Sequence, residues 1–446
     1  MLAARSGEVV VAPSEPVRRA VRLQQEVPVL TSAAPGGTEA YIPRLADAQL
    51  RMALSRSAAV ELRGPRGVGK TTTALQQAGA VLALQDQDTA AAVRDDPRSA
   101  LLGQRAPLLI DEWQEVPEVL WAVKAHIDTS SAPGQFVVAG SVRADSWEQM
   151  PLTGRSEAID MYPFSVAERR GTGGTTLGQR LFEGLDLEAE EIDLSVNDYI
   201  DLALQSGYPN TMDEPDPEAR AARLRNRIDG TVNVDTLVGR HNRSKLAEFL
   251  SCYALHSGGV VPLQRLCDEI GISRNTGNAY LRLLTRTYLV ADAPSYHTNR
   301  ISHLRRAPKR LLVDAGLLAA AWDTDVASIR HSADLRGRLI ETFVAAQLRV
   351  RASAPGVRYR LAHLRRNDRE VDFVLDGGIR GVAAVEVKAG VHGGRKEARH
   401  LFWLRDQMGD RFAGGVLLHT GRRPPQLFDD KPGGRIWSAP LSALWA

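Results

Sequence analysis

Residues 59–75 read AVELRGPRGVGKTTTAL, and this stretch decides the fold of the first part of the chain. It satisfies the pattern G-x-x-x-x-G-K-[ST] with eight consecutive residues: Gly64, Pro65, Arg66, Gly67, Val68, Gly69, Lys70 and Thr71. An apolar strand precedes the pattern and a helix-forming run follows it, so backbone N–H groups and a helix N-terminus can point at phosphate oxygens. We expect Lys70 to contact the β- and γ-phosphates of ATP and the Thr71 hydroxyl to hold Mg²⁺.

Two later apolar runs end in polar side chains suited to the same site. Residues 108–112 read LLIDE, which predicts a strand whose Asp111 acts on the metal and whose Glu112 polarises water for in-line attack on the γ-phosphate. Residues 136–141 read FVVAGS, and Ser141 is placed to contact the γ-phosphate. The alternatives are an ordinary acidic strand end for Asp111 and Glu112, and a plain strand-to-loop turn for Ser141.

The composition fits several globular domains. The 446 residues are 43% hydrophobic and 24% charged, which argues against wholesale disorder and against a membrane bundle. No apolar run approaches the roughly 18–20 residues that span a bilayer, so we expect a cytoplasmic protein without membrane association. The formal charge of +3 is too small to imply a polyanionic partner by itself. Cys252 and Cys267 lie in apolar helical patterns that favour core packing over a zinc site.

The rhythm of the sequence divides the chain into five parts. Apolar runs alternate with helical patterns up to about residue 163, which is typical of a parallel α/β sheet. We therefore expect an N-terminal arm at 1–40, a P-loop core at 41–165, a helical lid at 166–240, a three-helix domain with a basic segment at 241–310, and a mixed α/β domain at 311–446.

Four segments carry a resemblance to a known family: LLIDEWQEVPEVLWAVKAHID, FVVAGSVR, LTGRSEAIDMYPFSVAE and QSGYPN. They resemble the AAA+ ATPases of bacteria and archaea that carry a C-terminal domain of unknown function with a restriction-endonuclease-like core. The resemblance implies an α/β fold: a P-loop NTPase (AAA+) parallel sheet with a helical lid, a winged-helix domain and a restriction-endonuclease-like α/β domain. It also implies that Arg155 acts as a catalytic finger or sensor. An arginine finger acting in trans requires a homo-oligomer, whereas the alternative is a surface ion pair.

Residues 246–290 predict a helix, a helix–turn–helix with Gly271 in the turn, and a short strand, which is a winged-helix pattern. The last helix directs four polar residues outward, and we expect them to contact DNA: Arg274, Asn275, Asn278 and Arg282. Winged helices also bind proteins, so this alternative stays open.

A basic segment follows the predicted wing. It contains Arg300, Arg305, Arg306, Lys309 and Arg310 without any acidic residue between them. If all five met DNA phosphates, the salt dependence of binding would steepen by about 4.5 on a log–log scale. The alternative is a solvated run of charges.

The C-terminal part contains a helix with Glu341 and a hairpin with Asp372, Glu386 and Lys388. This order, D…E-x-K, resembles the PD-(D/E)xK nucleases. The chemistry suits phosphodiester cleavage, because Asp372 and Glu386 offer hard oxygen ligands for Mg²⁺, with the carbonyl of Val387 as a further ligand. Lys388 would orient and help deprotonate water, and Glu341 would complete the outer shell of the metal.

Two functions remain open at this point. The first is an ATPase that couples nucleotide state to DNA engagement and to a Mg²⁺-dependent nuclease-like domain, in DNA processing or defence. The second is a nucleotide-gated regulatory switch or toxin–antitoxin component whose C-terminal domain binds without cleaving. The two hypotheses differ in the role of Asp372 and Lys388, which the first requires for cleavage and the second does not.

Overall fold

The computed structural model describes residues 41–141, 151–172, 174–189, 193–236, 242–297, 306–352, 354, 356–430 and 434–446, except for the side chains of 233–236. The expected arm at 1–40 and the residues Arg300 and Arg305 lie outside these ranges. The fold divides into two compact units. The first contains Leu50–Arg63 and Lys70–Ile159, and the second contains Ile42–Gln49, Gly64–Gly69 and Asp160–Ala446. None of the helices in the described ranges is both long enough and apolar enough to cross a bilayer.

The first unit is built on a five-stranded sheet in the order β2-β3-β4-β1-β5. The strands are β1 (Ala59–Arg63), β2 (Ala80–Ala83), β3 (Leu108–Asp111), β4 (Phe136–Gly140) and β5 (Ser156–Asp160). β4 pairs in parallel with both β1 and β3, and the register aligns Arg63 with Gly140 and Asp111 with Ala139. The carboxyl ends of these three strands therefore meet at one edge, as the predicted parallel α/β sheet requires.

The helices before residue 160 are α1 (Leu45–Leu54), α2 (Lys70–Leu75), α3 (Gln87–Asp95), α4 (Pro97–Leu101) and α5 (Val119–Thr129). Aspartates cap two of them: Asp86 accepts from the Thr89 N–H at α3 and Asp96 accepts from the Ser99 N–H at α4. The apolar face of α5 packs with strand residues such as Ile110 in one buried cluster.

The second unit continues with α6 (Val166–Arg170), α7 (Leu177–Glu183), α8 (Val196–Leu204), α9 (Pro209–Met212) and α10 (Pro217–Thr236). A reciprocal capping box starts α6, in which Ser165 and Glu168 each accept from the other's backbone N–H. The predicted helical content of residues 166–240 is present in the described part of this range.

Three helices follow: α11 (Arg243–Leu255), α12 (Leu263–Ile270) and α13 (Arg274–Arg286). Gly271 ends α12 at φ 66°, a left-handed conformation that favours glycine, and Ser273 caps α13. Short antiparallel bridges join Lys309 to Val260 and to Ala293. The helices and the glycine turn agree with the predicted pattern, while the winged-helix assignment stays a prediction.

The C-terminal part contains α14 (Ala315–Trp322), α15 (Val326–His331), α16 (Ala333–Arg351) and α17 (Arg399–Met408) around a mixed sheet. Its strands are β6 (Arg360–Arg366), β7 (Arg369–Asp376), β8 (Val382–Lys388), β9 (Phe412–His419), β10 (Gln426–Asp429) and β11 (Arg435–Pro440), in the order β10-β11-β9-β8-β7-β6. One apolar cluster joins α16 to the sheet and another joins α17 to it. Both faces of β8 are buried, and its sequence is accordingly almost entirely apolar.

Candidate functional site

The predicted phosphate loop has the backbone that its glycines allow. Gly64, Gly67 and Gly69 have φ angles of 157°, 67° and 98°, and the last two lie well inside the left-handed region that favours glycine. A side chain on Gly64 would place its Cβ 2.3 Å from the carbonyl oxygen of Met161. The loop therefore curls tightly where close backbone approach is needed, which is the condition for presenting N–H groups to phosphate.

Directly after the loop, Lys70 and Thr71 meet the carboxyl ends of neighbouring strands. The Nζ of Lys70 donates to the Ser141 Oγ at 3.0 Å, and the Thr71 hydroxyl donates to Asp111 at 2.8 Å. Lys70 and Asp111 are 4% and 2% exposed. Burial raises the pKa of Asp111, although its hydrogen bond from Thr71 opposes that shift. The hydroxyl and carboxylate oxygens are the hard donors that Mg²⁺ prefers, so these residues fit the ion.

Glu112 completes this cluster. It has φ 52°, and the Ser141 hydroxyl is 3.0 and 3.1 Å from its two carboxylate oxygens. The amide of Gln114 also donates to this carboxylate. The neighbouring Gly140 is required by close packing, because a Cβ there would lie 2.2 Å from the indole nitrogen of Trp113. The structure thus brings together all five predicted polar side chains at the sheet edge: Lys70, Thr71, Asp111, Glu112 and Ser141.

Two arginines of the second unit also contact the loop, and sequence reasoning missed both. Arg44 donates to the Val68 carbonyl at 2.9 Å, and Arg227 of α10 donates to the carbonyl of Arg66. The Arg227 guanidinium also stacks 3.9 Å from the ring centroid of Tyr208. Nothing in the local pattern of either arginine marked it, because each contact depends on long-range folding.

Arg155 is 36% exposed at its side chain and donates to Asp128 of α5 at 2.5 Å. Within this chain it therefore makes the surface ion pair that the sequence left as the alternative. A role in trans would require this pair to open in an oligomer, and that role stays a prediction.

A second cluster forms around Lys309 in the C-terminal part. Its Nζ lies 2.9 Å from Asp372 and 3.5 Å from Glu370, and it also donates to Glu341 of α16. The Lys309 side chain is 1% exposed. The structure therefore brings Glu341 and Asp372 together, as predicted, but around a buried lysine that the sequence had placed elsewhere.

Glu386 completes the group of acidic residues. We define the carboxylate cluster as Glu341, Glu370, Asp372 and Glu386, and Lys388 pairs with the last of them. Lys388 Nζ donates to Glu386 Oε1 at 3.0 Å, and the Val387 N–H donates to Asp372 at 2.9 Å. Glu386 is 4% exposed, and its Oε2 is buried without a hydrogen-bond partner among the described residues. An orphaned buried carboxylate oxygen is the kind of atom that binds a cation.

Burial dominates the ionisation of this cluster. It raises the pKa of Glu386 to about 8, reinforced by the Asp372 charge, and raises the pKa of Glu341 to about 7 against the pull of Lys309. Burial would also raise the pKa of Asp372, but Lys309 and Lys388 lower it below its ordinary value. The same carboxylates raise the pKa of Lys309, so the lysine stays charged.

The cluster fits one Mg²⁺ ion by chemistry and by charge. Its four carboxylates against the ammonium groups of Lys309 and Lys388 leave a formal charge of −2 when all are ionised, which one divalent cation balances. Asp372 and the orphaned oxygen of Glu386 would hold the ion, with Glu341 nearby. Lys309, however, already supplies a positive charge between Asp372 and Glu341.

The placement of Lys309 and Arg310 corrects the predicted DNA contacts of the basic segment. Both are buried, because the segment pairs with Val260 and Ala293 and turns their side chains inward. Arg310 donates to Asp292 at 2.6 Å. A buried, paired cation cannot reach a DNA phosphate in this conformation, so the expected salt slope falls from about 4.5 to at most about 2.7.

The remaining predicted DNA contacts lie at the surface. Arg306 is exposed and donates to the Arg365 carbonyl at 2.9 Å. On α13 the four predicted residues face away from the buried Tyr280, Leu283 and Leu284: Arg274, Asn275, Asn278 and Arg282. Asn278 is half-buried and the other three are exposed. Their contact with DNA stays a prediction.

Three stretches of the chain match known family models. Residues 56–170 match an AAA domain, 196–328 match a domain of unknown function (DUF8612), and 336–443 match another domain of unknown function (DUF4143). The chain carries an AAA-type P-loop ATPase domain. The match covers the phosphate loop, Asp111, Glu112 and Ser141. It supports ATP binding and hydrolysis by the domain formed by residues 56–170. The C-terminal carboxylate cluster falls within the DUF4143 match.

Similarity to individual proteins is distant. Uncharacterized proteins of Mycobacterium tuberculosis (strain H37Rv) and Mycobacterium bovis are each 27% identical over 310 residues, which is 68% of this chain and 65% of theirs. The chain thus aligns with slightly less than two thirds of these relatives' length. Among solved structures, a Walker-type ATPase of Pyrococcus abyssi aligns with 63% of this chain and 96% of its own, at 13% identity and a TM-score of 0.41.

Proposed function

We propose that the ATPase domain uses its nucleotide state to control DNA engagement and Mg²⁺-dependent phosphodiester cleavage by the C-terminal domain, in DNA processing or defence. The observation that carries the proposal is the convergence of Glu341, Asp372 and Glu386 with Lys388 at one end of the sheet. Among the described residues, one carboxylate oxygen of Glu386 has no hydrogen-bond partner. Clusters of buried charges with shifted pKa values are typical of functional sites, and this supports the proposal.

In the ATPase domain, the loop amides and Lys70 would bind the phosphates, while Thr71 and Asp111 would hold the Mg²⁺ ion. Glu112, which accepts a hydrogen bond from the Ser141 hydroxyl, would accept one from the attacking water. Ser141 then donates to the γ-phosphate. Lys70 and Glu112 each already contact Ser141, and Thr71 already contacts Asp111.

In the C-terminal domain, a bound Mg²⁺ ion would stabilise the charge that develops on the phosphodiester oxygens. Lys388, which donates to Glu386 of the cluster, is 40% exposed at its side chain, and it would orient the attacking water. The water oxygen would form a new bond to phosphorus as the water gives up a proton to the solvent. The bond from phosphorus to the leaving oxygen would break, and the leaving oxygen would take up a proton from the solvent. Exposed groups of α13 and Arg306 would bind the DNA backbone.

A continuous set of contacts within the second unit supports coupling. Arg227 of α10 bonds the loop carbonyl of Arg66, α10 packs against α14, and α14 packs against α16, which carries Glu341. A nucleotide that changes the Arg66 contact would therefore bias helices that hold the carboxylate cluster. Such a network is a physical route for coupling.

The position of Lys309 favours the second candidate function, a nucleotide-gated binding module that does not cleave. A buried ammonium group between Asp372 and Glu341 can replace a metal ion permanently. In that case the cluster would be a structural ion-pair network, and the exposed surface of α13 would bind a protein or DNA partner.

The test is cleavage of supercoiled and linear DNA with Mg²⁺, with and without ATP. The proposal expects nicking that is lost in Asp372→Ala, and a dependence on ATP that is lost in Lys70→Ala. Nicking that persists unchanged in Asp372→Ala would remove the assignment of the site. No nicking under any combination of cofactors would favour the binding module.

A further inference from the structure

Two helices of the three-helix segment bring together a thiol, an imidazole and a carboxylate. Cys252 lies near the end of α11, and His256 is the first residue after that helix. The two residues are four positions apart, so their side chains lie on the same side of the helix. Glu269 comes from α12, which packs against α11. None of the three belongs to the ATP site or to the carboxylate cluster.

The three side chains already approach one another closely. The Oε2 atom of Glu269 lies 2.7 Å from the Nε2 of His256 and 3.4 Å from the Sγ of Cys252. One ligand atom from each residue lies within 4.8 Å of the other two. Tetrahedral zinc, with bonds of about 2.0–2.3 Å, separates its ligands by about 3.3–3.8 Å. Movements of about 1 Å would thus convert the hydrogen-bonded group into a coordination site.

The chemistry of the donors selects the ion. Sulfur, imidazole nitrogen and a single carboxylate oxygen are the ligands of zinc sites, whereas Mg²⁺ prefers oxygen alone. A thiolate and a carboxylate together balance the charge of a divalent ion. We propose that Cys252, His256 and Glu269 bind one Zn²⁺ ion, with water at the fourth position.

The surroundings suit a zinc site. Arg265 donates from Nε to the other oxygen of Glu269 at 3.0 Å, which fixes the carboxylate and directs Oε2 toward Cys252 and His256. Cys252 is buried at 7% exposure, while the side chains of His256 and Glu269 are 17% and 38% exposed. The site therefore has a dry side against the helix core and an open side through which the ion enters.

A bound ion would clamp the end of α11 to α12. The helix that follows, α13, carries the predicted DNA-contacting residues, and Gly277 of α13 lies against Cys267 of α12. Zinc would therefore restrain α11 and α12, which pack next to the predicted DNA-contacting helix α13. This effect does not depend on ATP hydrolysis or on DNA cleavage.

The test uses the full chain, stripped with a chelator and titrated with Co²⁺ and Zn²⁺. Co²⁺ bound to a thiolate gives a sulfur-to-metal charge-transfer band, and calorimetry with Zn²⁺ gives stoichiometry and affinity. Cys252→Ala is the test variant and Cys267→Ala is the matched control, because both thiols are buried in the same segment. Glu269→Gln changes a partly exposed side chain to one of the same shape, and it therefore guards against loss of folding.

We expect one Zn²⁺ ion per chain and a charge-transfer band in the unaltered protein and in Cys267→Ala. Cys252→Ala should lose the band, and Zn²⁺ affinity should fall at least about 100-fold, beyond the loss caused by removing supporting residues. Glu269→Gln should keep the band and bind more weakly. The proposal is overturned if the unaltered protein shows no band, if Cys252→Ala keeps it, or if Glu269→Gln binds Zn²⁺ with unchanged affinity.

Discussion

Replacing Lys309 with methionine tests whether a cation is needed at the centre of the carboxylate cluster. Methionine keeps much of the length and apolar volume of the lysine but removes its charge. In the protein, that charge faces Asp372 at 2.9 Å and Glu370 at 3.5 Å and contacts Glu341 directly. Because the Lys309 side chain is 1% exposed, water cannot take over its role.

The expected loss of stability is large. Two unit charges about 4 Å apart interact by about 4 kcal/mol at the effective dielectric constant of a protein surface, and the burial of this group strengthens the effect. Removing one partner of a buried ion pair typically costs about 3–5 kcal/mol, because the remaining charge is left uncompensated. Burial already raises the pKa of Glu341 to about 7, so protonation would absorb part of this cost at lower pH. Loss of Lys309 would raise the pKa of Glu341 further, and the pKa of Glu386 is already raised to about 8, so the measurement belongs at about pH 9 or above.

Mg²⁺ should restore much of the lost stability. An ion at about 100 times its dissociation constant stabilises the folded state by about 2.7 kcal/mol. The assay is urea unfolding of nucleotide-free protein, with either chelator or Mg²⁺, followed by hydrogen exchange in β7 and β8. Arg310→Met is the matched control, because Arg310 is equally buried but pairs with Asp292 outside the cluster.

The reasoning predicts strong rescue of Lys309→Met by Mg²⁺, weak rescue of Arg310→Met, and loss of rescue when Asp372→Asn is added to Lys309→Met. Equal stability of Lys309→Met and the unaltered protein in chelator would refute the charge argument. Equal rescue of both methionine variants would refute the assignment of the ion to the cluster.

Three further outcomes follow from the structure. Lys70→Ala should abolish ATP turnover, and Glu112→Gln should bind ATP but hydrolyse it at least about 100-fold more slowly, as single-turnover assays would show. Burial, then the charge of Lys309, lowers the pKa of His363 to about 4. As the pH falls, His363 takes up its proton near pH 6.5 in the unfolded state but only near pH 4 in the folded state. The free energy of unfolding is therefore highest above pH 6.5 and should be lower by about 2 kcal/mol at pH 5. In urea unfolding, His363→Gln should make this free energy depend less on pH between 6.5 and 4. Gly140→Ala should lower the unfolding midpoint of the first unit, because its Cβ would lie 2.2 Å from Trp113.

The ATP site was predictable because its residues follow a local rule. The phosphate loop is contiguous, and Asp111 and Ser141 each end an apolar run. Parallel strands bring their carboxyl ends to one edge of the sheet. Recognising the strands in the sequence was therefore enough to predict that these side chains lie close together. The predicted hairpin likewise brought Asp372 close to Glu386 and Lys388, because its two strands pair.

The basic segment was misread because its charges have no periodic pattern. Whether a short segment lies at the surface depends on what its backbone pairs with, and here Lys309 bridges to both Val260 and Ala293. That pairing spans long sequence separations, which local patterns do not encode. The same limit explains why Arg227 and the group of Cys252, His256 and Glu269 were missed, although the spacing of Cys252 and His256 was a visible clue.

Lys70 and Lys309 differ in what each would leave unpaired on turning toward a phosphate. Lys70 donates to the hydroxyl of Ser141, a neutral group that a phosphate oxygen replaces without leaving a charge unpaired. Lys309 faces three carboxylates, so pulling it toward a phosphate would leave those anions buried. Lys388 donates to Glu386 and is 40% exposed at its side chain, so it can turn toward a phosphate at lower cost. If the C-terminal domain acts on phosphate as proposed, we therefore expect Lys388 rather than Lys309 to contact it.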